Sequence, residues 1–226
     1  MTDYNDMASA DAMNKPKIAY KSYVLILSFV LTFSFISNAA SKPENTEISV
    51  KVSETPLGPE VEASAKVAFT PLMFIELVKN AKHDCSWIAK CESVNILEGE
   101  DSNFQLIRTE IKAPWPFNNR DMVVYSMLEY NEATKHLSIQ LTQAENAELE
   151  SHLVSSDDIK GIVRMTNVKA KWEMQALGNQ QFLLEYRGVA SPNGNIPDWI
   201  ARRFVRQSTE ETFENVIAHF AKMHPQ

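Results

Sequence analysis

Glycine is scarce in this chain: six residues among 226, scattered between Gly58 and Gly194. They cannot assemble a phosphate-cradling loop or a dinucleotide fingerprint, because both need glycines a few residues apart at a strand-to-helix turn. A Gly-x-Ser-x-Gly nucleophile elbow is missing too. Two cysteines, Cys85 and Cys91, and five dispersed histidines, His83, His136, His152, His219 and His224, offer no tight Cys/His ligand spacing. No metal and no cofactor are expected. An excess of positive charge is also lacking: 22 basic residues stand against 29 acidic ones, a net charge of −7, with no Lys/Arg cluster of the kind that phosphate binding at physiological salt requires. Nucleic acid is therefore not an expected partner. There is no internal repeat and no low-complexity tract.

What is present suits one domain with an extension. Hydrophobic residues make up 44% of the chain, enough for a real core at this length. Lys15, Lys17 and Lys21 precede an uncharged run, 22–41, with an apolar heart over 23–36. That heart is short of the roughly twenty residues of a bilayer span, and Ser37, Ala39 and Ala40 supply small residues for cleavage after Ala39. The pattern predicts a signal peptide over 1–40, an exported, periplasmic or secreted protein, and a mature domain over 41–226. The alternative is a membrane anchor retained over 22–41. A start at Met13 would give the leader ordinary proportions. In an oxidising compartment Cys85 and Cys91 can form a disulfide; two buried thiols beside Trp87 are the other reading.

Along the mature chain, residues 48–54 and 61–69 alternate around a Pro-Leu-Gly-Pro turn and read as paired strands. Thr70 then Pro71 opens a short helix ending near Lys82. Strands are predicted over 92–97, 104–112, 121–130 and 137–141, and again over 162–168, 170–177 and 182–190. Both faces of 121–130 are apolar, which places that strand centrally. Arg108, Glu110 and Lys112 alternate on one face, usually the solvated one, although a charged pair turned to the interior would be a natural anchor for a polar headgroup. The acidic stretch 143–158 has no period and reads as a solvated connection. A long helix from Pro197 to about Lys222, with Asn195 placed to cap it, ends the chain. This element order is α+β.

Two segments carry more. One is Ala113-Pro114-Trp115-Pro116-Phe117-Asn118-Asn119-Arg120-Asp121; the other, about eighty residues later, is Asn195-Ile196-Pro197-Asp198-Trp199-Ile200. In order and separation they resemble the START family of lipid-binding domains, over about 48–222. The resemblance implies the helix-grip fold, a curved antiparallel sheet wrapped around the long C-terminal helix with an internal hydrophobic cavity. It implies that the Trp115 and Phe117 loop acts with the C-terminal helix as a gate, packing near Trp199 or Phe204 or touching a membrane when open. The expected cavity and gate residues are Trp115, Phe117, Arg120, Val124, Ser126, Trp199, Phe204, Ser208 and Thr212. Ser126 stands where some sterol-binding members carry arginine, a departure from the sterol-type pattern.

Alternatives attach to several of these residues. On the final helix the apolar face drifts, and Ser208, Thr209 and Thr212 sit where its two halves meet. They either bond to carbonyls one turn back or meet a ligand's polar group. Arg120 and Asp121 either fix a loop or contact ligand. The function expected is binding of a lipid or other hydrophobic small molecule and its carriage between membranes, by a monomer making transient membrane contact. Burying about sixteen methylenes gains roughly 12 kcal/mol at about 0.8 each, so exchange belongs at a membrane rather than in water. The rival is a helix-grip enzyme of cyclase or hydrolase type using the same cavity, although no catalytic motif is found. A third reading is an interaction module whose groove takes a partner's apolar segment.

Overall fold

The computed structural model describes residues 46–144 and 161–223. The expected leader, and the acidic connection beyond Ala144, lie outside the described residues. Within them the chain runs β1 (Ile48–Thr55), β2 (Gly58–Val67), α1 (Pro71–Lys79), a 3-10 turn (Asn80–Lys82), β3 (Cys91–Glu98), β4 (Phe104–Ile111), β5 (Asn119–Asn131), β6 (His136–Gln143), β7 (Ile162–Arg164), β8 (Thr166–Gly178), β9 (Gln181–Ser191) and α2 (Asp198–Met223). The α+β expectation holds, and eight strands form one antiparallel path, β1-β2-β9-β8-β6-β5-β4-β3. The ninth, β7, pairs in parallel with β5.

Local chemistry explains the element ends. Thr70 accepts a hydrogen bond from the Met73 N–H at 3.4 Å, and Pro71 fills the first turn where its missing N–H costs nothing. For α2 the sequence reading needs correction. The helix begins at Asp198, and the Pro197 carbonyl accepts from Ile200 and Ala201. Pro197 is thus the cap position, and Asn195 lies outside. The predicted strand 162–168 is also divided. Its first three residues pair with β5, the Met165 N–H donates to the Asp121 carbonyl, and the chain then joins the β6–β8–β9 ladders.

The inner face of the sheet packs under α2, and ladder rows show where it is solid and where it is hollow. Leu184, Met174 and Leu137 are consecutive cross-strand neighbours with zero exposure. Phe213, Val216 and Phe220 of α2 join the same core together with Phe74 of α1. One row closer to the start of α2, Tyr186, Trp172 and Ile139 are aligned. In the next row stand Gly188, Ala170, Leu141 and Ser126, three of them small. Small residues in register leave space that the helix above does not fill.

Candidate functional site

That space is a cavity of about 300 Å³ between the sheet and the N-terminal half of α2. Trp87, Trp172 and Tyr186 bound it on the side of the solid core, Val124 and Ser126 line it from β5, and Phe204, Ser208, Thr209 and Thr212 line it from α2. No helix among the described residues is long and apolar enough to cross a membrane.

The helix hydroxyls divide between two roles. Ser208 Oγ donates to the Phe204 carbonyl at 2.8 Å, and Thr212 Oγ1 donates to the Ser208 carbonyl at 2.8 Å, the back-bonding pattern of buried helical hydroxyls. Thr212 Oγ1 also accepts from the Ala89 N–H at 3.0 Å. It thereby ties the helix to the segment from Cys85 to Cys91, which a disulfide closes with its Cα atoms 6.0 Å apart. Lys90 pairs with Glu211 at 2.7 Å across the same seam. The disulfide loop delivers Trp87, Ile88 and Ala89 to the cavity wall. The Trp87 indole nitrogen is buried there without a partner.

Arg120 and Asp121 are neighbours on β5, so their side chains leave opposite faces of the sheet. Arg120 points inward and lines the cavity. It is 6% exposed and donates to three backbone carbonyls, those of Asn118, Pro192 (3.4 Å) and Asn193 (3.2 Å). One guanidinium therefore clasps the β4–β5 connection to the loop leading into α2. Burial presses its pKa below the ordinary arginine value. Gly194, at φ +70, sits where a Cβ would come within 3.3 Å of Arg120 Nη2, so both backbone angle and space favour glycine.

Asp121 lies on the outer face, 1% exposed, accepting from Arg108 Nε at 2.7 Å and from Arg164 Nε and Nη2 at 2.6 and 2.7 Å. Burial alone would raise its carboxyl. The hydrogen bonds and charges of Arg164 and Arg108 outweigh that and hold it below the usual aspartate value. The expectation of a solvated Arg108 face is therefore corrected, because Arg108 is 8% exposed and is the buried partner of Asp121.

Of the residues singled out from sequence, Arg120, Val124, Ser126, Phe204, Ser208 and Thr212 line the cavity, while Trp115, Phe117 and Trp199 do not. Trp115 is 92% exposed and so packs on neither Trp199 nor Phe204. Trp199 is 62% exposed, and Leu57, whose carbonyl accepts from Ser191 Oγ, is 38% exposed. Each of the three stands one or two residues from a cavity-lining residue, Trp115 from Pro114, Trp199 from Ile200 and Leu57 from Pro59.

Sequence reasoning missed Tyr186, Gly188 and Ala170. Tyr186 keeps surface toward the cavity but is removed from bulk water, and burial pushes its phenol up to about 12. Its hydroxyl lies over Gly188, where a Cβ would meet the Tyr186 ring carbon Cζ at 2.8 Å. The available signal was the lone glycine inside a strand, which often marks a close approach.

No family model matches the chain. An uncharacterized protein of Pseudomonas aeruginosa is 24% identical over 143 residues, 62% of this chain; the match spans 64% of that relative's length. Among solved structures, a STAR-related lipid transfer protein of Xanthomonas axonopodis (fragment 25–204) superposes with a TM-score of 0.62 at 21% identity, covering 78% of this chain and 93% of that one. Human StAR-related lipid transfer protein 5 gives 0.61 at 16% identity, covering 76% and 83%. The chain has the helix-grip fold of START domains, as its two motif segments implied.

Proposed function

We propose that the protein binds a single-chain lipid or a hydrophobic small molecule of similar bulk in the cavity beneath α2, and carries or presents it between membranes. The observation that carries this reading is the 300 Å³ space that Gly188, Ala170 and Ser126 leave between a wholly buried core and the helix. That volume is at the small end of the roughly 300–1,000 Å³ of ligand sites, which suits one chain or a compact polycycle better than a two-chain phospholipid. Binding is favoured over catalysis because the lining contains no histidine, carboxylate or thiol among the described residues to act with Tyr186, Lys112 or Lys169 as an acid–base pair. The names of the two superposed structures refer to lipid transfer, which supports the same reading.

Exchange takes place at a bilayer, with Trp115, Trp199 and Leu57 at the cavity mouth entering the interface and Arg120 holding the two mouth loops together until then. The protein works outside the cytoplasm as a monomer, consistent with the leader expected over 1–40 and with a disulfide beside the cavity. The test is expression of the full sequence in a bacterium with a periplasm, followed by native mass spectrometry and solvent extraction of what co-purifies. A stoichiometric hydrophobic molecule, lost in Ala170→Phe, is the expected result. A protein that stays empty after incubation with mixed liposomes refutes carriage.

A further inference from the structure

The cavity is not uniformly greasy at its inner end. Tyr186 reaches along β9 so that its hydroxyl lies over Gly188. Gly188 shares a ladder row with Ala170, Leu141 and Ser126, and Ser126, 6% exposed, lines the same cavity from the other side of that row. Neither hydroxyl has a hydrogen-bond partner among the described residues, unlike Ser208 and Thr212, which are committed to helix carbonyls. The charged residues of the lining do not reach the Tyr186 hydroxyl: Arg120 is tied to the mouth loops, Lys112 pairs with Glu92, and Lys169, next to Ala170 on β8, is exposed and leaves the opposite face of the sheet.

A buried hydroxyl without a partner is unfavourable, and one facing a cavity is satisfied by whatever occupies it. We infer that Tyr186 Oη is the polar anchor of the cavity and selects a ligand that carries one small uncharged polar group, a hydroxyl or a carbonyl, on an otherwise apolar body, inserted polar end first. The inference rests on the carriage reading. The phenol stays protonated throughout the physiological range because burial raises its pKa to about 12, so it both donates and accepts. A carboxylate would find no cation at this depth and would stay at the mouth.

The experiment uses the full-length chain, with the emission of Trp87 and Trp172, which flank the cavity, as the reporter. Decan-1-ol, 1-chlorodecane and decanoate are titrated into the wild type, Tyr186→Phe and Ser126→Ala. The expected result is tighter binding of decan-1-ol than of 1-chlorodecane by about five- to tenfold, as one hydrogen bond gives. That preference is lost in Tyr186→Phe and kept in Ser126→Ala, which changes a hydroxyl three strands away in the same row, while 1-chlorodecane binds all three proteins alike. Equal binding of the two neutral probes to the wild type would overturn the anchor and leave the carriage reading intact, as would a preference that survives Tyr186→Phe. Decanoate binding tightest, with no effect of either substitution, would also overturn it and move the polar end to Arg120. Failure of all three probes to bind the wild type would overturn both readings. Should Tyr186→Phe not fold, Gly188→Ala, whose added Cβ would displace the Tyr186 hydroxyl, decides by the same comparison.

Discussion

Replacing Asp121 with asparagine should cost stability heavily while sparing the cavity. The carboxylate receives three short hydrogen bonds from two guanidiniums and is 1% exposed. The asparagine amide keeps one acceptor oxygen and turns an NH2 toward donors, leaving Arg108 without its buried counter-charge. Breaking a buried pair by removing one partner costs about 3–5 kcal/mol. Arg164 retains 27% of its side-chain surface and can rehydrate, so the low end, about 3 kcal/mol, is the better figure. In a domain of this size that lowers the melting temperature by about 6–12 °C. The pH dependence follows from the depressed folded pKa. The unfolded carboxyl titrates near about 3.9, so the stabilisation is complete above that value and is lost as pH falls through the lower folded pKa. Circular-dichroism melts of wild type and variant should therefore differ most at pH 5–7 and draw together as pH falls below the unfolded value of about 3.9. Melting temperatures within 2 °C at pH 7, or a gap that does not change with pH, would refute the assignment of Asp121 as the buried hub tying β4, β5 and β7.

The other predictions concern the seam and the mouth. Thr212→Val removes the acceptor of the buried Ala89 N–H and should destabilise by about 1–3 kcal/mol, read by urea unfolding, whereas Thr212→Ser should recover most of the loss. Reduction of the Cys85–Cys91 bond, which spans a sequence separation of 6, should cost about 2 kcal/mol on the loop-entropy scale; hydrogen exchange should locate the loosening at residues 85–91 and the facing part of α2. Trp115→Ala combined with Trp199→Ala should weaken liposome co-sedimentation about tenfold or more with the melting temperature nearly unchanged, since both rings are mostly exposed in the free protein. Unchanged sedimentation would move membrane contact elsewhere.

How much of this was legible in the chain depended on whether a property is local or needs a strand's neighbours. Alternation gave the strands, and Thr70-Pro71 gave the start of α1, because both signals are contained within a few residues. The same alternation separates Arg120 from Asp121, one facing inward and one outward, once Met122, Val124 and Ser126 are taken as the cavity side. The face of Arg108 was misjudged because its buried partner is Asp121 on the neighbouring strand, a carboxylate it shares with Arg164 of β7, and β7 arrives from more than fifty residues away in a parallel pairing that no local pattern announces. Tyr186 was hidden for a related reason. An aromatic at an inward position reads as core, and its neighbour Trp172, 4.5 Å away centroid to centroid, is core. Only the register, which sets Gly188 beside Ala170 and Ala170 beside Leu141, shows that the row beyond Tyr186 is hollow and that its hydroxyl ends in that hollow. A large residue beside small ones in sequence says little. A large residue bordering a row of small ones across four strands makes a site, and that juxtaposition comes into being only when the sheet closes over α2.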